Sequence, residues 1–234
     1  MKAEKVWKRR SGSGERMKTE MDPNKKKMYD KSGPRIAENL KKRHFEAYYC
    51  STADEAVKKA MELIPKKDVV SWGGSMTLTE LGLQNKLKER GNPVIDRDTA
   101  ESPEAREELM RKALLADTFL MSTNALSADG QLVNIDGNGN RVAAMVYGPK
   151  SVIVIAGMNK AEKTLKEAVS RARNTAAPMN AQRFCDAMTT VCTETGQCGD
   201  CISEQSICAY LLVTRISRPA GKIKVILVGE DLGM

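Results

Sequence analysis

The chain has 234 residues, 41% hydrophobic and 29% charged, enough to bury one large α/β core or two small ones. These proportions exclude a disulfide mini-protein, a collagen and a coiled-coil rod. Its net charge of +8 invites a nucleic-acid partner, but the distribution argues against one. Residues 1–43 hold 15 Lys and Arg against 6 Asp and Glu, whereas the rest hold 23 against 24. Aromatic residues make up only 4%, which leaves little for stacking on single strands.

Apolar runs such as Val152–Ala156 and Ala209–Val213 stop far short of a membrane span. No apolar segment follows the basic N-terminus, so the expected setting is cytoplasmic and without a membrane partner. Residues 1–20, with Lys8-Arg9-Arg10 and Ser11-Gly12-Ser13-Gly14, lack any hydrophobic period and read as a disordered basic arm. Residues 21–234 read as one α/β domain.

Asp22-Pro23 predicts a helix start, and Ser32-Gly33-Pro34 predicts a break or kink before the helix resumes to about Arg43. Phe45–Cys50 reads as a strand. Thr52-x-x-Glu55 predicts a capped helix with Ala53, Ala56, Val57, Ala60, Met61 and Ile64 on its buried face. Asp68–Trp72 is a buried strand leading into Gly73-Gly74-Ser75. Thr77-x-x-Glu80 then suggests a cap for a helix reaching about Arg90.

Pro93–Ile95, Thr118–Met121 and Ser151–Ala156 are the next strands, with a helix from Ser102-Pro103 to Leu115. Ala128-Asp129-Gly130 predicts a tight turn between Leu126 and Leu132. Asn159-x-x-Glu162 predicts a cap for a helix with Ala161, Leu165, Ala168, Val169 and Ala172 facing the core. Ala209–Ile216 and Lys222–Val228 close the chain as strands. Alternating strands and helices predict a mostly parallel sheet covered on both faces.

Three constellations offer chemistry. In the first, Gly73, Gly74 and Ser75 follow a strand, with Thr77 just beyond. Such a turn suits a phosphate or carboxylate at the carboxyl end of a parallel strand, and equally an ordinary strand-to-helix turn. The second runs from Ser122-Thr123-Asn124 through Asp129 to Asp136-Gly137-Asn138-Gly139-Asn140-Arg141. Asp136 and Arg141 could act as carboxylate and anion clamp, while Asn, Asp and Gly are also what tight turns require. The third is Cys192, Cys198, Cys201 and Cys208, within a cysteine-rich segment at about 185–208. Clustered thiols in a reducing compartment suggest a metal site. The uneven spacing leans toward an iron–sulfur cluster, with structural zinc and thiol redox chemistry as alternatives. Cys185 is a further thiol, and Cys50 reads as packing. His44 is the single histidine and reads as structural, which argues against a Ser-His-Asp or Cys-His mechanism and excludes a histidine-rich metal site.

Taken in order, Ser71-Trp72-Gly73-Gly74-Ser75, Thr123-Asn124-Ala125, Asp129-Gly130, Asn134-x-Asp136-Gly137-Asn138-Gly139-Asn140-Arg141-Val142-Ala143, Tyr147-Gly148-Pro149-Lys150, Val154–Lys160 and Val228–Gly233 resemble the LUD-domain (lactate-utilisation) family. The resemblance runs from about Met21 to the C-terminus. It implies a three-layer Rossmann-like sheet of the NagB/RpiA/CoA-transferase-like type. It also implies a link to the oxidation of lactate to pyruvate, in which companion subunits carry iron–sulfur centres. By position, Gly73, Gly74 and Ser75 would hold an anion and Asp129 or Asp136 would be the working carboxylate, with Thr123, Asn124, Asn138 and Asn140 lining the ligand. The cysteine-rich segment departs from the short lactate-utilisation subunit.

Three readings of function follow. One is a lactate-linked protein that binds a small anionic ligand, holds an iron–sulfur site and works with partner subunits. Another is a sugar-phosphate or CoA-ester enzyme with a zinc staple. The third is a non-catalytic binding or regulatory module.

Overall fold

The computed structural model describes residues 21–234; the basic arm expected over residues 1–20 lies outside the described residues. The helices are α1 (Pro23–Lys42), α2 (Ala53–Leu63), α3 (Met76–Glu80), α4 (Leu83–Glu89), α5 (Pro103–Lys112), α6 (Asn140–Val146), α7 (Leu165–Arg171), α8 (Ala177–Ala181) and α9 (Val191–Thr195). The strands are β1 (Glu46–Cys50), β2 (Val70–Trp72), β3 (Val94–Ile95), β4 (Thr118–Met121), β5 (Ala125–Ser127), β6 (Leu132–Asp136), β7 (Ser151–Gly157), β8 (Ala161–Glu162), β9 (Tyr210–Thr214) and β10 (Ile223–Val228).

Six strands form one parallel sheet in the order β1-β10-β7-β4-β2-β3. Alternate residues of its central strands feed two separate cores. Val152, Val154 and Ala156 of β7 pack with Ile36, Ala37 and Leu40 of α1. Ile153 and Ile155 pack on the other side with Ala56 and Ala60 of α2 and with Leu78, Leu83 and Leu87 of α3 and α4. Burial on both faces is why these strands read as unbroken apolar runs. Among the described residues, no helix is long and apolar enough to cross a membrane.

A smaller sheet, β8-β5-β6-β9, lies against the α1 side of the main sheet. The tight turn at Ala128-Asp129-Gly130 joins β5 to β6 as expected, and β9 pairs antiparallel with β6. Leu126 and Leu132 point into the main core, while Ala125, Val133 and Ile135 pack on Ala168 of α7 and Ala177 of α8. Gly130 docks this hairpin on α1. At φ +92° a Cβ there would stand 2.8 Å from the backbone of Asn39 and Leu40.

Three local expectations are corrected. The helix does not break at Gly33-Pro34: α1 runs through both. Gly33 leaves room for the ring of Tyr49, which a Cβ would meet at 2.2 Å. The expected helix from residue 76 to Arg90 is split into α3 and α4 by Gly82, whose φ is +61°. Asn159 caps no helix. It lies in a short 3-10 turn before β8, and α7 is capped instead by Thr164 with Glu167 in a reciprocal capping box.

A buried lysine among hydroxyls and guanidiniums

Parallel strands present their carboxyl ends at one edge of the sheet, where ligands of such folds bind. At this edge β7 ends at Gly157, and the 3-10 turn Met158–Lys160 folds the chain back. Lys160 is only 4% exposed. Its Nζ donates to the Thr77 and Ser122 hydroxyls, each at 3.0 Å. Burial pushes the Lys160 ammonium down to about 7, helped by the positive charges of Arg171 and Arg141 and opposed by Glu80.

Ser75, not Thr77, caps α3, accepting from Leu78 N at 3.3 Å. Thr77 is thereby free to turn inward to Lys160, and the Glu80 carboxylate accepts from Gly233 N at 2.8 Å. The two glycines before Ser75 admit two arginines. A Cβ on Gly73 would stand 3.0 Å from Arg141 Cδ, and one on Gly74 would stand 2.5 Å from Arg97 Nη2. Gly73 N–H is already used, donating to Leu120 O at 3.1 Å. The turn therefore brings side-chain cations, more than free amides, to this edge.

Asp136, at the end of β6, accepts from Gly139 N at 3.2 Å, Arg141 N at 3.0 Å and Val142 N at 3.1 Å. It does for α6 what the side-chain-less cap Gly139 cannot. Arg141 Nε lies 3.8 Å from the same carboxylate, and its Nη2 donates to Asn124 Oδ1 at 3.2 Å and to Ile135 O. Asp136 thus orients Arg141 and starts its helix.

The remaining expected site residues divide. Asn124 belongs to the group, because its Oδ1 also accepts from Ile135 N at 2.9 Å. Thr123 is buried and donates to the Ala125 and Val133 carbonyls, a role within the small sheet. Asn138 is exposed and Asn140 half-buried at the start of α6. Asp129 lies at the far end of β6 from Asp136. It is engaged by Arg43 at 2.6 Å, Gln131 at 3.0 Å and Ser127.

Lys160 and two further features were not named as site residues from the sequence. Arg171 donates to Asn159 O at 3.0 Å and Asn124 O at 2.5 Å, tying α7 to this edge. Residues Leu232–Met234 lie across the lysine. A Cβ on Gly233 would stand 2.5 Å from Thr77 Oγ1 and 3.2 Å from Lys160 Nζ.

The cysteine segment borders the same region. Gly137 lies against the Ile207 backbone and Gly139 against the Tyr210 ring, where added Cβ atoms would stand at 3.0 Å. Partial burial and the neighbouring thiols of Cys192, Cys198 and Cys201 push Cys208 up to about 11, so the four share one neighbourhood. All are reduced, and Cys185 is exposed beside Asp186. Among the described residues, no three metal-ligating side chains converge on a point.

A solved structure, a DUF162 family protein from Deinococcus radiodurans, is similar over 86% of this chain and 98% of its own, with a TM-score of 0.51 and 13% identity. A second, eIF2B delta from Chaetomium thermophilum, is similar over 52% of this chain and 54% of its own, with a TM-score of 0.34 and 17% identity. No curated protein matches. The LUD domain model matches residues 34–228, which span both sheets and every residue of the lysine cluster except the covering tail. The chain is a member of the LUD-domain family.

Proposed function

We propose that the protein binds a small organic anion of the lactate and pyruvate class at the carboxyl edge of its main sheet, within organic-acid metabolism. The observation that carries this reading is the grouping of Lys160 with Arg141 and Arg171. Among the described residues, the Lys160 ammonium has the Thr77 and Ser122 hydroxyls as its hydrogen-bond partners. A carboxylate brought there gains charge-assisted hydrogen bonds, and the hydroxyls suit an oxygen on the adjacent carbon.

Titration calorimetry with L-lactate, pyruvate, inorganic phosphate and coenzyme A tests the reading. Binding of either organic acid, lost in Arg141→Ala, is the expected result. Selective binding of phosphate or coenzyme A would replace it with the sugar-phosphate or CoA-ester reading.

The cysteine segment supports a second element, a thiolate metal centre held by Cys192, Cys198, Cys201 and Cys208. The donor set suits an iron–sulfur cluster, with zinc as the alternative. The nearness of Cys192, Cys198 and Cys201 to Cys208, felt as a raised Cys208 thiol, supports a shared centre. Iron and acid-labile sulfide in anaerobically purified protein, lost in a Cys198→Ser/Cys201→Ser variant, is the expected finding. Stoichiometric zinc would make the segment a staple, and no metal would leave it a thiol site. Partner subunits that pass electrons belong to this same reading.

A further inference from the structure

Lysine is almost never fully buried unless a carboxylate pairs with it, because its charge loses hydration there. Lys160 is 4% exposed, and among the described residues no carboxylate lies within ion-pair distance of its Nζ. If the side chain only tied Thr77 to Ser122, a neutral amide would do so at a far smaller desolvation cost. The two hydroxyls come from the first turn of α3 and from the residue that follows β4, so three chain segments converge on one amine at the carboxyl edge of the sheet.

We infer that Lys160 is a carbonyl-capturing amine, forming an imine with the C2 carbon of a small 2-oxo acid; this rests on the organic-anion reading above and names its substrate class. The Nζ lone pair attacks C2, and the C2–O π electrons move to oxygen, which takes a proton from the Ser122 or Thr77 hydroxyl. Nζ gives up a proton in turn and restores that hydroxyl. The carbinolamine hydroxyl then takes a proton from solvent and leaves as water as the nitrogen lone pair forms the C=N bond, which remains protonated. The sum is amine plus ketone plus one proton giving protonated imine plus water, with no change of oxidation state.

Two further features agree. The depressed basicity of Lys160 leaves a substantial fraction of neutral amine near pH 7, which the attack requires. Arg141 and Arg171 supply positive charge nearby for the substrate carboxylate, as the carbonyl carbon approaches Nζ. Residues Leu232–Met234 cover the amine, so capture is accompanied by displacement of this tail.

The test is reductive trapping on the full chain. The protein is incubated with pyruvate and then borohydride, with L-lactate as the carbonyl-free control, and both intact mass and peptide maps are read. The expected result is one carboxyethyl group per chain, located on Lys160 of the wild-type protein and absent with L-lactate. Trapping should slow several-fold in Ser122→Ala. Localisation on the wild-type peptide keeps the test independent of whether Lys160→Gln folds. Pyruvate binding by calorimetry without any trapped adduct, or an adduct on other lysines with Lys160 unmodified, overturns the capture while leaving the anion site standing. Failure of both pyruvate and lactate to bind overturns the two readings together.

Discussion

Lys160 Nζ stands 3.0 Å from the hydroxyl of Thr77, a residue 83 positions earlier in the chain. This single bond joins the end of β7 to the first turn of α3, and its energetics depend on the protonation of a buried amine. The folded state lowers the Lys160 pKa from 10.5 to about 7, so between these values the unfolded chain binds more protons than the folded one. Stability therefore rises with pH across that window, and the burial penalty is full below about pH 7. Lys160→Met removes the term. The difference in urea-unfolding free energy between wild type and this variant should change by up to about 1.4 kcal/mol per pH unit from pH 7 to 10, moving in favour of wild type. A difference independent of pH would show that the amine is not desolvated.

Asp136 is expected to matter first for structure. Its two oxygens serve three backbone N–H groups and lie close to Arg141. Asp136→Ala should cost about 2 kcal/mol, at the upper end for a lost helix cap. Asp136→Asn, which keeps one acceptor oxygen, should cost about half of that. Chemical denaturation of both variants checks the ranking. Equal stability of all three proteins would remove the capping role and return Asp136 to the list of catalytic carboxylates.

The hairpin lock at Gly130 should be the most sensitive glycine outside the site. Gly130→Ala places a methyl against the α1 backbone and forces a side chain into φ +92°. A loss of about 3 kcal/mol is expected from strain and overpacking together. Thermal unfolding would reveal it, and a melting temperature within a degree of wild type would contradict the close approach.

Tail residues 232–234 are held partly by Glu80, which accepts from Gly233 N. Glu80→Ala should loosen the tail and raise the rate at which an amine-specific reagent labels Lys160, read by peptide mapping. Labelling of an exposed lysine such as Lys150 serves as the internal standard. An unchanged ratio would mean that Glu80 does not govern access.

Much of the fold was legible because the cues were local and periodic. The strand at Ser151–Ala156 announced itself by continuous apolar residues, and α2 by Thr52 and its alanine face. Where neighbours decided, local reading failed. Gly33-Pro34 reads as a helix break, yet Tyr49 needs the space that Gly33 leaves. Thr77-x-x-Glu80 has the spacing of a capping box, but Ser75 is the cap, and both residues serve contacts more than 80 positions away. The small sheet depends on β9 pairing with β6, a partnership across some 75 residues that periodicity cannot signal. The same holds for the site: Arg141 and Asp136 were conspicuous in a Gly-rich loop, whereas Lys160 gains its meaning only from Thr77 and Ser122.

Trp72 ends β2 directly before the Gly73-Gly74 turn, buried, with Lys88 Nζ 5.6 Å from its ring. The chain contains only one other tryptophan, Trp7. A Trp7→Phe protein would thus possess a solitary indole at the threshold of the lysine cluster, a native optical gauge. Its emission could follow an organic acid arriving in real time, with no label attached and no chemistry required at the site itself.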